Sequence, residues 1–170
     1  MSYIRFSDLE GLRIAVEMER RGGEFYRHAA RVAKNPKTIE LLTQLAADEE
    51  EHEKEFSLML DALPQRQLES DYYDEESSAY LSAIAAEIVF QDGLMGMVKD
   101  KAYESPQAIL EYSIQSEKDS TLFYTEMIIL AKNPSAAAVF RAIVRQEKSH
   151  LSKLQQMLME LGRGGKDKNA

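Results

Sequence analysis

Two short stretches of the chain pair a carboxylate with an imidazole three residues apart, Glu49 with His52 and Glu147 with His150. On an α-helix that spacing is close to one turn, so both groups face the same way and both can reach one metal ion. Two further acids, Glu19 and Glu117, stand apart from these pairs, each upstream of one of them. A single Glu-x-x-His is weak grounds for metal chemistry, and Asp48-Glu49-Glu50-Glu51-His52-Glu53 by itself reads as a solvated charge run. Repetition alters that reading.

Displacing the chain along itself by 98 residues aligns Glu19, Phe25, Tyr26, Ala33-Lys34-Asn35-Pro36, Glu49, His52, Met59, Leu60 and Leu63 with Glu117, Phe123, Tyr124, Ala131-Lys132-Asn133-Pro134, Glu147, His150, Met157, Leu158 and Leu161. These are 12 identities over 45 positions without a gap, where about three would arise by chance from ordinary composition. The chain is therefore read as a duplication. Glu49 and His52 persist in the second copy, whereas Glu50, Glu51 and Glu53 become Lys148, Ser149 and Leu151. His28, aligned with Glu126, falls off the face that carries Glu19, as do Glu17 and Glu24, aligned with Gln115 and Leu122. All three are expected at the surface.

The elements that must position these groups follow from periodicity. Each copy shows an apolar pattern of helical period, a short Asn-Pro break and a second such pattern, which is a helical hairpin. Helices are expected near 8–33, 37–63, 106–131 and 135–161. Asn35 and Asn133 are suited to N-caps, with proline next in each case. Ser7 and Glu10 have capping-box spacing, and Ser105-Pro106 opens the third helix in the same manner as the Asn-Pro pairs. The crossover, 64–105, begins with Pro64 and a polar stretch, then carries the apolar run Tyr80 to Phe90, which is expected to be a helix of its own. The expectation is an all-α, four-helix domain over 1–161, built from two duplicated hairpins (8–63 and 106–161). A Gly-rich tail, 162–170, is expected to end the last helix and to be flexible.

The faces of these helices place the acids inward. In the last helix Phe140, Ile143, Val144, Glu147, His150, Leu151, Leu154 and Leu158 share one stripe; Leu42, Leu45, Ala46, Glu49, His52, Phe56 and Leu60 repeat it. Glu19 and Glu49 lie 16 and 14 residues from Asn35, which puts both about 20–24 Å from the turn at ~1.5 Å per residue. Four carboxylates and two imidazoles in a bundle interior are tolerated only if neutralised or coordinated. Two divalent ions would balance four carboxylates, and oxygen with nitrogen donors suits iron or manganese while also accepting zinc. Tyr26 and Tyr124, on the faces of Glu19 and Glu117, are either core aromatics or hydrogen-bond donors to ligand carboxylates. Gly22 and Gly23 serve either close helix approach or space for a small oxidant.

Composition limits the alternatives. The absence of Cys excludes disulfides, thiolate metal sites and iron–sulfur clusters within this sequence. A net charge of −8 opposes nucleic-acid or anionic-membrane binding. With no signal-like or membrane-spanning run, a cytoplasmic location is expected.

Taken together, the lone Glu followed six residues later by Phe-Tyr and then by Glu-x-x-His, twice over nearly the whole chain, resembles the rubrerythrin branch of the ferritin-like superfamily. The resemblance implies a ferritin-like bundle and a non-haem di-iron site, with Glu49 and Glu147 bridging or near-bridging, Glu19 and Glu117 terminal, and His52 and His150 one to each metal. It further implies reduction of hydrogen peroxide or dioxygen, and a homodimer. The chain lacks the cysteines of the rubredoxin domain that rubrerythrins carry, so electrons would come from a separate donor protein. Where rubrerythrins tend to have an additional Glu one turn before the third-helix ligand, this chain has Ile114. Iron handling by ferrous oxidation, storage or delivery, and a partner-binding bundle with a structural metal, are the alternative readings.

Overall fold

A computed structural model describes residues 5–63, 71–88 and 102–164. Within them the chain forms five helices, α1 (Asp8–Val32), α2 (Pro36–Ala62), α3 (Glu75–Ile88), α4 (Pro106–Leu130) and α5 (Pro134–Gly164), and no strand. The four long helices are those expected, displaced by a residue at several ends, with α2 and α5 beginning on their prolines. Proline at the first helical position loses nothing, because its missing N–H would have no intrahelical partner there. Asn35 Oδ1 accepts from the N–H groups of Lys37 and Thr38 (2.9 and 3.3 Å), and Asn133 Oδ1 from those of Ser135 and Ala136 (2.9 and 3.2 Å). Ser105 Oγ accepts from Ala108 N–H at 3.0 Å. Ser7 Oγ accepts from Glu10 N–H at 3.5 Å, but the Glu10 carboxylate turns forward to Arg13, so the capping box closes in one direction only.

One boundary differs. The last helix runs through Gly162 to Gly164 instead of ending before it. A glycine terminates a helix by adopting positive φ, and no described glycine does so. The tail beyond 164 lies outside the described residues.

α1 packs chiefly on α2 and α4 on α5; the hairpins meet through α2 with α5 and α1 with α4, and α3 lies against α4. The buried apolar residues divide into two clusters. One gathers Phe6, Leu12, Met18, Phe56, Tyr124, Phe140 and Ile143; the other gathers Phe25, Tyr26, Leu42, Leu45, Leu110, Ile114 and Leu154. Helices α1 and α4 are antiparallel, since Tyr26 pairs with Glu117 and Tyr124 with Glu19. The polar residues of the bundle interior thus lie between two apolar layers.

The crossover contains the expected helix, α3, beginning at Glu75, before the apolar run. Asp74 opens it, accepting from the N–H and hydroxyl of Ser77 (both 2.8 Å), and Glu75 and Glu76 occupy the first turn, where the helix dipole favours acids. This accounts for much of the acidic stretch 71–76. The segment is tied down by Tyr73 N–H donating to the Phe6 carbonyl (2.9 Å) and by Ser78 Oγ accepting from Phe6 N–H (3.3 Å). The parts of the crossover at 64–70 and 89–101, including the end of the run to Phe90, lie outside the described residues.

Candidate metal centre

Each long helix contributes from its inward face. Glu19 on α1, Glu49 and His52 on α2, Glu117 on α4, and Glu147 and His150 on α5 are all between 1 and 3 % exposed. His52 Nδ1 lies 2.9 Å from Glu147 Oε1, 3.1 Å from Glu49 Oε2 and 3.4 Å from Glu19 Oε2. His150 Nδ1 lies 3.6 Å from Glu147 Oε2 and 3.7 Å from both Glu49 Oε1 and Glu117 Oε2. The two rings are stacked, with centroids 5.6 Å apart. Donor atoms of Glu19, Glu49, His52 and Glu147 fall within 4.8 Å of one another, as do those of Glu49, Glu117, Glu147 and His150. Glu49 and Glu147 belong to both groups.

The six candidate residues are therefore brought together, as are the two tyrosines. Tyr26 Oη donates to Glu117 and Tyr124 Oη to Glu19, each from the opposite hairpin. Burial, reinforced by these carboxylates, pushes both phenols well above their usual range. His28 is exposed and packs on Tyr103, while Glu17 and Glu24 form ion pairs with Arg20, so these three stay outside the cluster. Gly22 faces Glu49: a Cβ there would meet its Cγ and Cδ at 3.6 and 3.8 Å.

Two contributors were not legible beforehand. Asp48, inside the apparent charge run, accepts from His150 Nε2 at 3.1 Å, and its aligned residue in the second copy is Gln146, so the repeat gave no signal. Asp8 is buried at the start of α1, accepts from Tyr73 Oη, and accepts from the N–H groups of Lys132 and Asn133 at 3.1 and 2.6 Å. It joins α1, the crossover and the α4–α5 turn.

The electrostatics are those of a site built for cations. Burial and the charges of Glu19 and Glu147 push Glu49 well above the carboxylate range, and burial with Glu147 raises Glu117 to about 8. For Glu147, burial and Glu19 push upward, but close contacts with Glu117, His150 and His52 outweigh them and hold it below its ordinary value. Burial opposes charge on the histidines, yet contacts with Glu147, Glu19 and Glu49 raise His52 strongly, and Glu117 and Glu147 raise His150 to about 10. Without a cation, protons gather in the cluster to reduce its negative charge. Glu117 Oε2 and His150 Nδ1, 3.7 Å apart, are nonetheless buried without a hydrogen-bond partner, an arrangement that a bound cation would satisfy.

The sequence model of the family described as Rubrerythrin matches residues 10–107 and 108–169. The chain belongs to the rubrerythrin family. The two matched stretches together take in both hairpins. A crystal structure from Thermotoga maritima, of a protein assigned to the ferritin-like diiron-carboxylate group, superposes with a TM-score of 0.72 at 25 % identity, covering 94 % of this chain and 99 % of that one. No curated protein matches. The fold is thus that of the ferritin-like bundles, and this rubrerythrin-family chain carries in it a carboxylate and histidine cluster that could hold two metal ions. Among the described residues no helix is long and apolar enough to cross a membrane.

Proposed function

We propose that the protein is a non-haem di-iron redox protein that reduces hydrogen peroxide or dioxygen with electrons from a separate donor protein. The observation that carries this reading is the pair of overlapping donor groups sharing Glu49 and Glu147. Glu49 and Glu147 would serve both positions, Glu19 and His52 would complete one, and Glu117 and His150 would complete the other. Oxygen and imidazole donors without thiolate fit iron, with manganese or zinc as substitutes. A bound iron pair supplies the two electrons that convert peroxide to water.

The chain supplies the surroundings. Tyr26 and Tyr124 hold hydrogen bonds on Glu117 and Glu19, orienting the terminal carboxylates across the hairpin interface. The two apolar layers keep bulk water out. A cytoplasmic homodimer completes the reading.

Ferrous oxidation for iron handling is the second reading, favoured by Ile114. This buried side chain stands one turn before Glu117, where a further carboxylate would assist redox-dependent ligand exchange. Metal analysis of the aerobically purified protein, then anaerobic reduction and stopped-flow mixing with peroxide and with dioxygen, separates the two. Two irons per chain reoxidised faster by peroxide support the peroxidase reading; preference for dioxygen supports ferrous oxidation; absence of bound metal overturns both.

A further inference from the structure

We infer that Asp48 makes the two metal positions unequal, holding His150 for tighter binding while His52 has no counterpart among the described residues. The inference rests on the di-metal reading above. Both rings turn Nδ1 toward the shared carboxylates, which leaves Nε2 of each pointing away from the cluster. An imidazole that coordinates through Nδ1 keeps its proton on Nε2, and a buried N–H needs an acceptor.

His150 has one, because its Nε2 lies 3.1 Å from Asp48 Oδ2. Asp48 is held from its other side, where Oδ1 accepts from Gln44 Nε2 at 2.7 Å. Gln44, Asp48 and His150 therefore form a chain of hydrogen bonds from the outer face of α2 across to α5. His52 Nε2, equally buried, has no hydrogen-bond partner among the described residues. The duplication shows how the difference arose: Gln44 and Asp48 align with Ala142 and Gln146, and Gln146 is exposed. The Glu and His residues are present in both copies, but among the described residues the support behind the imidazole exists in one.

A carboxylate behind a coordinating imidazole sets the ring's orientation and makes it a stronger donor, and losing such a partner typically costs about 10- to 100-fold in metal affinity. The position formed by Glu49, Glu117, Glu147 and His150 therefore fills first. The position formed by Glu19, Glu49, His52 and Glu147 fills second.

The test is calorimetric titration of Co(II) into the metal-free protein, followed in parallel by visible absorption. The wild type is expected to bind two ions in events separated by about 10-fold or more in affinity, and Asp48→Ala to weaken the tighter event by about 10- to 100-fold while leaving the weaker within roughly threefold. His150→Ala should remove the tight event and His52→Ala the weak one, which assigns them. Gln44→Ala, an exposed change that touches no ligand, should weaken the tight event alone and by a smaller factor. The melting temperature of each metal-free variant separates lost support from lost fold. Two equal events in the wild type, an Asp48→Ala titration that matches it, or equal weakening of both events would overturn the inference. A wild type that binds no Co(II) would instead overturn the di-metal reading.

Discussion

At the scale of single residues, the buried charges dominate the behaviour of the metal-free protein. Glu117 is raised from 4.5 to about 8 and His150 from 6.5 to about 10. Between the lower and the higher value in each case the folded chain holds a proton that the unfolded chain has released. Stability contributed by these protons is complete below pH 4.5 for Glu117 and below 6.5 for His150, and is lost as pH rises toward 8 and 10. Thermal melting of metal-free protein at several pH values from 5 to 9 is expected to show a falling midpoint. Metal ions displace those protons, so the loaded protein should melt with a flatter profile, and its affinity for metal should increase with pH. A midpoint that rises with pH in the metal-free protein would contradict the assignment. The tyrosines make a second prediction. Tyr26→Phe and Tyr124→Phe each remove a buried donor to a carboxylate, and each should cost about 1–3 kcal/mol in urea unfolding while leaving two metals bound per chain.

At the scale of the helices, glycines in similar helical settings have opposite roles. A Cβ on Gly11 would stand 2.0 Å from Cε of the fully buried Met127, so Gly11→Ala is expected to destabilise by about 1–3 kcal/mol through forced repacking. A Cβ on Gly22 meets Glu49 at ordinary contact distance, so Gly22→Ala should gain up to about 1 kcal/mol of helix propensity. Equal effects in denaturant titrations would show that close approach is not what Gly11 provides. Asp8→Ala tests the join between α1, the crossover and the α4–α5 turn. It abandons two backbone N–H groups and the Tyr73 hydroxyl, and a loss of about 2–4 kcal/mol is expected. The helix starts were legible because Asn35, Asn133, Ser7 and Ser105 act on N–H groups two or three residues away. Asp8 was not, since the groups it binds lie 65 to 125 residues along the chain.

At the scale of the whole molecule, the four buried carboxylates make the bundle's stability depend on what neutralises them. A divalent ion that binds only the folded chain stabilises it by about 2.7 kcal/mol at a hundredfold excess over its dissociation constant. Exhaustive chelation should therefore lower the melting temperature, and readdition of Fe(II) or Mn(II) under nitrogen should restore it. A melting temperature indifferent to both treatments would mean that no cation takes part in holding the two hairpins together. The dependence would be shared between the hairpins, because each donor group draws residues from both: Glu147 joins Glu19, Glu49 and His52, and Glu49 joins Glu117, Glu147 and His150.

The duplication, the helices and the six inward-facing acids and histidines are all written in the sequence, because each rests on short-range regularity: helical period, capping residues and a repeat at constant offset. Identical residues at identical separations from the Asn-Pro turns also determine that the acids share one level of the bundle. What only the tertiary structure decided is whatever depends on contact between distant segments. Glu49 and Glu147 enter both donor groups because α2 and α5 face one another at mid-height. Tyr26 reaches the Glu of the other hairpin because α1 and α4 run antiparallel. Asp48 looked like one acid among several in a charge run, and its pairing with His150 arises from packing between helices whose residues stand 102 positions apart. Local pattern shows which face a side chain takes, but its partner across an interface is set by how the helices meet.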